Sequence, residues 1–109
     1  MVACGDADGA ITGNTRRFGA SLDKIKQVVK PRPGEIMFGL NLVVYKGKTI
    51  FVGDTSVHEY PSSEQLAEIA ISAARVVRLF GFDPKVAFVS HSTFGQPVTN
   101  RTKHIKDAV

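Results

Sequence analysis

Hydrophobic residues recur along the chain with two different spacings, and the change from one to the other marks its elements. From Glu35 the sequence reads "EIMFGLNLVVYKGKTIFVGDTSV". Ile36, Phe38, Leu40, Leu42 and Val44 occupy every second position, the spacing of a strand with one apolar face. Lys46-Gly47 supplies a turn, since glycine takes positive φ freely, and Thr49 to Val52 predicts the returning strand of a β-hairpin. Beyond Pro61 the period lengthens. Leu66, Ile69, Ala70, Ala73, Val77 and Phe80 lie on one continuous stripe of a helix. Ser62 with Gln65 three places on is a capping-box pattern, and Glu64 puts negative charge in the first turn. Arg75 and Arg78 suit the opposite end, and Gly81 with Pro84 stops the helix.

The flanks are less regular. "MVACGDADG" reads as the last turn of a helix closed by Gly5. Ala10-Ile11 predicts a short strand running into a Thr12-Gly13-Asn14-Thr15 turn. Leu22, Ile25, Val28 and Val29 recur at helical spacing, with Ser21 as N-cap, until Pro31, Pro33 and Gly34 break the chain. Val86 to Val89 predicts a short buried strand, and "NRTKHIKDAV" opens an amphipathic helix. The order is helix end, strand, helix, hairpin, helix, strand, helix start. It predicts an α/β layered fold with a mixed sheet, because the hairpin rules out a purely parallel one. Both ends read as cut, so residues 1–109 are expected to be the middle of a single larger domain.

Composition narrows the class. With 43% hydrophobic and 22% charged residues the chain is globular, and 109 residues allow one domain at most. No apolar run is long enough to cross a bilayer, so no membrane association is expected. A single cysteine, Cys4, forms no internal disulfide, which suits a cytoplasmic setting. The net charge of +4 raises the question of nucleic acid, but the basic residues are scattered without aromatic interleaving. Nucleic acid is therefore not an expected partner. Anionic small ligands exploit the same mild basicity.

Three strand exits carry the candidate chemistry. "TGNTRR" offers the hydroxyls of Thr12 and Thr15 with the guanidinium of Arg16. "GDTSVHE" places Asp54 and Thr55 directly after the hairpin, with His58 nearby. "KVAFVSHSTFG" ends an apolar run on Ser90, His91, Ser92 and Thr93. Should the three exits converge, they form a rim of hydroxyl and amide donors beside positive charge, suited to phosphate or a nucleotide tail. Each has a plainer reading: a capped turn, side chains bonding their own backbone, or packed histidines. His58, His91 and His104 lack metal-ligand spacing, so no metal site is expected. No Gly-x-Ser-x-Gly elbow or Gly-rich phosphate loop is present, and no catalytic residue is assigned.

"DADG" at Asp6 to Gly9, "GDT" at Gly53 to Thr55, "SSEQLAEIAI" at Ser62 to Ile71 and "VAFVSHSTFG" at Val86 to Gly95 resemble, in this order and spacing, the phosphate acetyl/butyryl transferase family over essentially the whole chain. The resemblance implies an isocitrate/isopropylmalate dehydrogenase-like acyltransferase domain whose catalytic serine, arginine and aspartate lie beyond Val109. Free-standing acetyltransferases of the family carry lysine before the last glycine and an Arg-Pro pair in the first helix. Here Phe94 stands at the former position, and the helix reads "SLDKIKQVV" with Asp23 or Lys24 near the arginine's place. Lysine does not replace a bidentate guanidinium clamp on phosphate. "SHS-x-FG" and "TGNTRRF" look instead like the acyltransferase-like C-terminal domain of bacterial NADP-dependent malic enzymes. That branch implies a parent chain that oxidatively decarboxylates malate with NADP and a divalent metal, Mg or Mn, both held outside this segment. It implies a homo-oligomer regulated by a small effector such as acetyl-CoA. The cleft rim would then be Thr12, Thr15, Arg16, Asp54, Thr55, Ser90, Ser92 and Thr93. The alternative is a genuine phosphate acetyltransferase, and a plain dimerisation module is a third reading.

Overall fold

The predicted turn at Lys46-Gly47 is realised as a tight two-residue connection. In the computed structural model, which describes residues 1–92 and 97–109, β1 (Leu40–Tyr45) and β2 (Lys48–Gly53) pair antiparallel with Tyr45 opposite Lys48. Only Lys46 and Gly47 connect them, at φ 48° and 75°. Two consecutive positive φ values give the turn a twist that matches the strands, and glycine adopts its value without a Cβ penalty.

β1 begins four residues later than the alternation predicts. Ile36 and Phe38 keep the pattern but lie outside the ladder, which ends at the pair Leu40–Gly53. The cause is local. The next pair would be Gly39 with Asp54, and there the Asp54 carboxylate, not a strand backbone, accepts the Gly39 N–H at 3.1 Å. A side chain has taken over the ladder's next hydrogen bond, so pairing stops.

The chain divides into two compact units, Met1–Gly34 and Glu35–Val109. In the first, a single 3-10 turn at Val2–Cys4 ends on Gly5 in the left-handed region at φ 77°. The turn at Thr12 to Thr15 forms as expected, with the Thr15 N–H donating to the Gly13 carbonyl at 2.9 Å and Asn14 at φ 68°. Ala10-Ile11 is not a strand; two residues without a neighbouring ladder cannot hold one, and Ile11 is wholly exposed. α1 (Phe18–Val28) starts earlier than the Ser21 cap predicted. Arg17 occupies the cap position without a side-chain bond, and the Ser21 N–H already donates to the Arg17 carbonyl at 3.2 Å. Ser21 thus lies inside the helix, its hydroxyl buried with no partner among the described residues.

In the second unit, α2 (Ser63–Leu79) carries the packing. Ser62 accepts the Gln65 N–H and Gln65 Oε1 accepts the Ser62 N–H, so both halves of the capping box are present. Ile69 and Val77, on the predicted stripe, are the two most buried apolar residues, at 4% and 7% exposure. The stripe ends where Gly81 takes φ 82°. Phe80 and Phe82, on either side of it, bring their rings to 5.5 and 5.8 Å from that of Phe51 in β2, at tilted and edge-on angles. α3 (Asn100–Ala108) packs on α2 and is capped by Thr99, whose hydroxyl accepts the Thr102 N–H.

The predicted mixed sheet is corrected: the described sheet has two strands, β1 and β2, and is antiparallel. The predicted buried strand Val86–Val89 is corrected as well: the run joins no ladder and is not buried, with Val86 56% and Val89 87% exposed, because it has no hydrogen-bonded neighbour among the described residues to cover it. No described helix is long and apolar enough to cross a membrane.

Candidate functional site

The candidate residues fall in three groups. Thr12, Thr15 and Arg16 belong to the first unit and are exposed on the loop leading into α1. Asp54 and Thr55 follow β2, and Ser90 and Ser92 follow the Val86–Val89 run, in the second unit. Thr93 lies outside the described residues, as does Phe94. Among the described residues no hydrogen bond joins the Asp54 group to the serine pair.

The Asp54 group is the most ordered of the three. Its side chain is only 3% exposed. Oδ1 accepts the backbone N–H groups of Gly39, Ser56 and Val57 at 3.1, 3.2 and 3.1 Å. Oδ2 accepts the His58 N–H at 3.1 Å and faces His58 Nδ1 at 2.7 Å. Burial alone would raise the carboxyl pKa, but the His58 bond and then the backbone donors outweigh it, and it lies below the usual 3.8. Every lone pair of practical use is therefore committed to the loop. The carboxylate organises residues 54–58 and locks them to the start of β1. Against the carboxylate, His58 Nδ1 acts as the hydrogen-bond donor.

This anchoring presents the neighbouring hydroxyls. Thr55 Oγ1 accepts from Asn41 Nδ2 at 2.9 Å and from Ser56 Oγ at 3.3 Å, so its own proton remains free to donate outward. Thr55 and Ser56 are both exposed. On the third loop the Ser90 and Ser92 hydroxyls lie 2.9 Å apart, and Ser90 Oγ also accepts the Ser92 N–H at 3.1 Å. Among the described residues such a serine turn leaves one hydroxyl proton uncommitted. Chemically these are neutral donor positions suited to phosphate or carbonyl oxygens, with no free general base among them. Among the described residues no three or more His, Cys, Asp or Glu side chains are grouped as they would be around a metal ion.

Sequence reasoning placed Asp54 on the rim and His58 merely nearby. The i, i+4 spacing within "DTSVH" is the signal that pairs them across one tight loop. Gly39 had no such signal. A Cβ there would sit 3.1 Å from Asp54 Oδ1 and 3.6 Å from Val57 Cγ2, so the anchor needs a glycine opposite it. The guanidinium of Arg101 also stacks over Tyr60, 4.2 Å from its centroid, joining α3 to the loop before α2.

Order, spacing and geometry together describe an α/β segment with hydroxyl-bearing loops, and comparison with known proteins defines its class. The sequence matches the phosphate acetyl/butaryl transferase family over residues 1–109, and the chain belongs to that family. It is 41% identical over all 109 residues to an NADP-dependent malic enzyme of Rhizobium meliloti, covering 14% of that protein. It is 37% identical over 109 residues to a probable NADP-dependent malic enzyme of Rickettsia prowazekii, again 14% of its length. A phosphate acetyltransferase of Nitratidesulfovibrio vulgaris is 40% identical over 94 residues, 85% of this chain and 13% of that protein. The chain thus spans about a seventh of the length of the curated relatives it matches.

Proposed function

We propose that residues 1–109 form a catalytically incomplete, phosphotransacetylase-like part of an NADP-dependent malic enzyme, acting in regulation and subunit assembly. The parent chain oxidatively decarboxylates malate to pyruvate in the cytoplasm, with NADP and Mg or Mn held by residues outside this segment. The segment itself is the middle of a larger isocitrate/isopropylmalate dehydrogenase-like domain, in a homo-oligomer. Its role is to bind a small anionic effector such as acetyl-CoA and bias the enzyme between two states.

The observation that supports this reading is similarity along the whole chain: the malic enzymes of Rhizobium and Rickettsia align with all 109 residues, at 41% and 37% identity. Two features agree with it. The helix "SLDKIKQVV" lacks the Arg-Pro pair, and Phe94 replaces the lysine of free-standing acetyltransferases. Asp54 itself is committed to its own loop and to His58, so it is a positioning group and not a ligand contact. The candidate ligand contacts are Thr55, Ser90, Ser92 and Thr93 in the second unit and, taken separately, Thr12, Thr15 and Arg16 in the first, Arg16 being the charged partner for phosphate.

A second reading is a genuine phosphate acetyltransferase, converting acetyl phosphate and CoA to acetyl-CoA and phosphate; the 40% identity to such an enzyme favours it. Calorimetric titration of the full-length protein with acetyl-CoA, CoA and acetyl phosphate, beside a malate-oxidation assay, separates the two. Saturable acetyl-CoA binding that changes malate turnover is the expected result. Stoichiometric production of acetyl-CoA from acetyl phosphate, without malate oxidation, overturns the first reading in favour of the second.

A further inference from the structure

The motif "DADG" has no part in the candidate site, yet its last two residues form the only aspartyl-glycyl bond in the chain. The amide nitrogen that follows an aspartate can attack the side-chain carboxyl carbon and close a five-membered succinimide ring. Three conditions govern that attack. The nitrogen must be approachable, and a Cβ on its own residue crowds it; its N–H must not be held in a hydrogen bond; and the carboxyl must be able to turn towards it.

Asp8–Gly9 meets all three. Both residues are exposed, Asp8 at a bend and Gly9 outside any helix or strand. Among the described residues neither the Gly9 N–H nor the Asp8 carboxylate has a hydrogen-bond or ion-pair partner. A Cβ built on Gly9 would meet nothing within 4 Å, so no neighbouring chain walls off the approach. Every other aspartate fails a condition. Asp6 precedes Ala7, which carries a Cβ and is half-buried. Asp23 and Asp107 lie within the hydrogen-bonded turns of α1 and α3. The Asp54 carboxylate is held by its loop and by His58, and Asp83 precedes Pro84, which has no N–H.

We propose that Asp8–Gly9 is a site of spontaneous isoaspartate formation, a modification that needs no reagent but water. The Gly9 nitrogen bonds to Asp8 Cγ, and the hydroxyl of the protonated carboxyl leaves with the nitrogen's proton as one water. Water then re-adds to either carbonyl of the ring. Opening at Cγ restores aspartate. Opening at the α-carbonyl carbon gives isoaspartate, whose main chain runs through Cγ and whose α-carboxylate is free. The mass returns to its starting value, while the main chain gains one methylene ahead of the turn at Thr12 to Thr15. This inference stands independently of the proposed function.

The test is to age the full-length protein in neutral buffer beside a free peptide of residues 5–13, then digest both for mass spectrometry. The tryptic peptide that contains Asp8 should resolve into two species of equal mass, the new one showing the Cα–Cβ cleavage that electron-transfer fragmentation gives for isoaspartate. Because the fold leaves the bond open, the native rate should lie within about tenfold of the free-peptide rate. Gly9→Ala should slow the conversion by roughly tenfold or more, since it restores a Cβ beside the attacking nitrogen. Asp8→Glu should abolish it, because the ring would need an extra member. A native rate further below that of the peptide overturns the proposal, as does isoaspartate found at Asp6 alone. Conversion that continues undiminished in Gly9→Ala also overturns it.

Discussion

Replacing Asp54 by asparagine keeps the size of the side chain and removes its charge, which isolates the electrostatic part of the loop anchor. Three bonds to Oδ1, from Gly39, Ser56 and Val57, survive if the amide oxygen takes that place. The amide NH₂ then faces the His58 N–H, donor against donor, where a carboxylate oxygen stood at 3.1 Å. The 2.7 Å contact with His58 Nδ1 loses its charge. Hydrogen bonds to charged groups contribute about 1.5–3 kcal/mol, and a buried donor left unmet costs about 1–3 kcal/mol. One strong bond weakened and one donor orphaned, at a side chain 3% exposed, should cost about 2–3 kcal/mol locally. Because 1.36 kcal/mol corresponds to a factor of ten, amides of residues 56–58 should exchange roughly 30- to 150-fold faster in the full-length variant.

The pH dependence gives a second handle on the same contact. Asp54 titrates below its ordinary value in the folded protein, so the unfolded loop binds its proton more readily than the folded one. The stabilisation from its charge is therefore fully present above the unfolded carboxylate pKa of about 3.9 and is lost as pH falls through the lower folded value. Compared at equal pH, wild type and Asp54→Asn should differ by the full factor at pH 6 and converge below about pH 4. Exchange rates within twofold of each other at pH 6 would refute the anchoring role, and a gap that persists undiminished in acid would refute its electrostatic origin.

Three further outcomes follow from neighbouring contacts. Gly39→Ala pushes a methyl group to 3.1 Å from Asp54 Oδ1, an oxygen that three backbone hydrogen bonds hold in place, and overpacking of this kind should loosen the same loop by about 1–2 kcal/mol in the exchange assay. Ser62→Ala deletes the hydroxyl that receives the Gln65 N–H at 3.2 Å, and should lower α2 stability by about 1 kcal/mol, read as faster exchange confined to residues 63–66. Arg16→Ala should weaken acetyl-CoA inhibition of malate turnover by about 10- to 100-fold, the value of one charge-assisted bond, with turnover itself unchanged; an unaltered inhibition curve removes Arg16 from the rim.

What could be read from sequence was what a few neighbouring residues decide among themselves. The Lys46-Gly47 turn, the Ser62–Gln65 box and the Gly81 stop are each closed within four residues, and all three stand as expected. The strand boundaries differ where a partner far along the chain decides them. Alternation from Ile36 to Phe38 is strand-like, yet pairing ends at Leu40 because Asp54, fifteen residues away, captures the Gly39 N–H. Ser21 looked like a cap because its type favours one, but a helix can begin wherever backbone carbonyls find donors, and Arg17 opens α1 with no side-chain help. Val86–Val89 has the composition of a buried strand, and composition states a demand for partners without naming them. The same logic separates Asp54 from the hydroxyls around it. A motif reading groups GDT as one polar feature, while the hydrogen bonds divide it into a carboxylate spent on architecture and a threonine left free to bind.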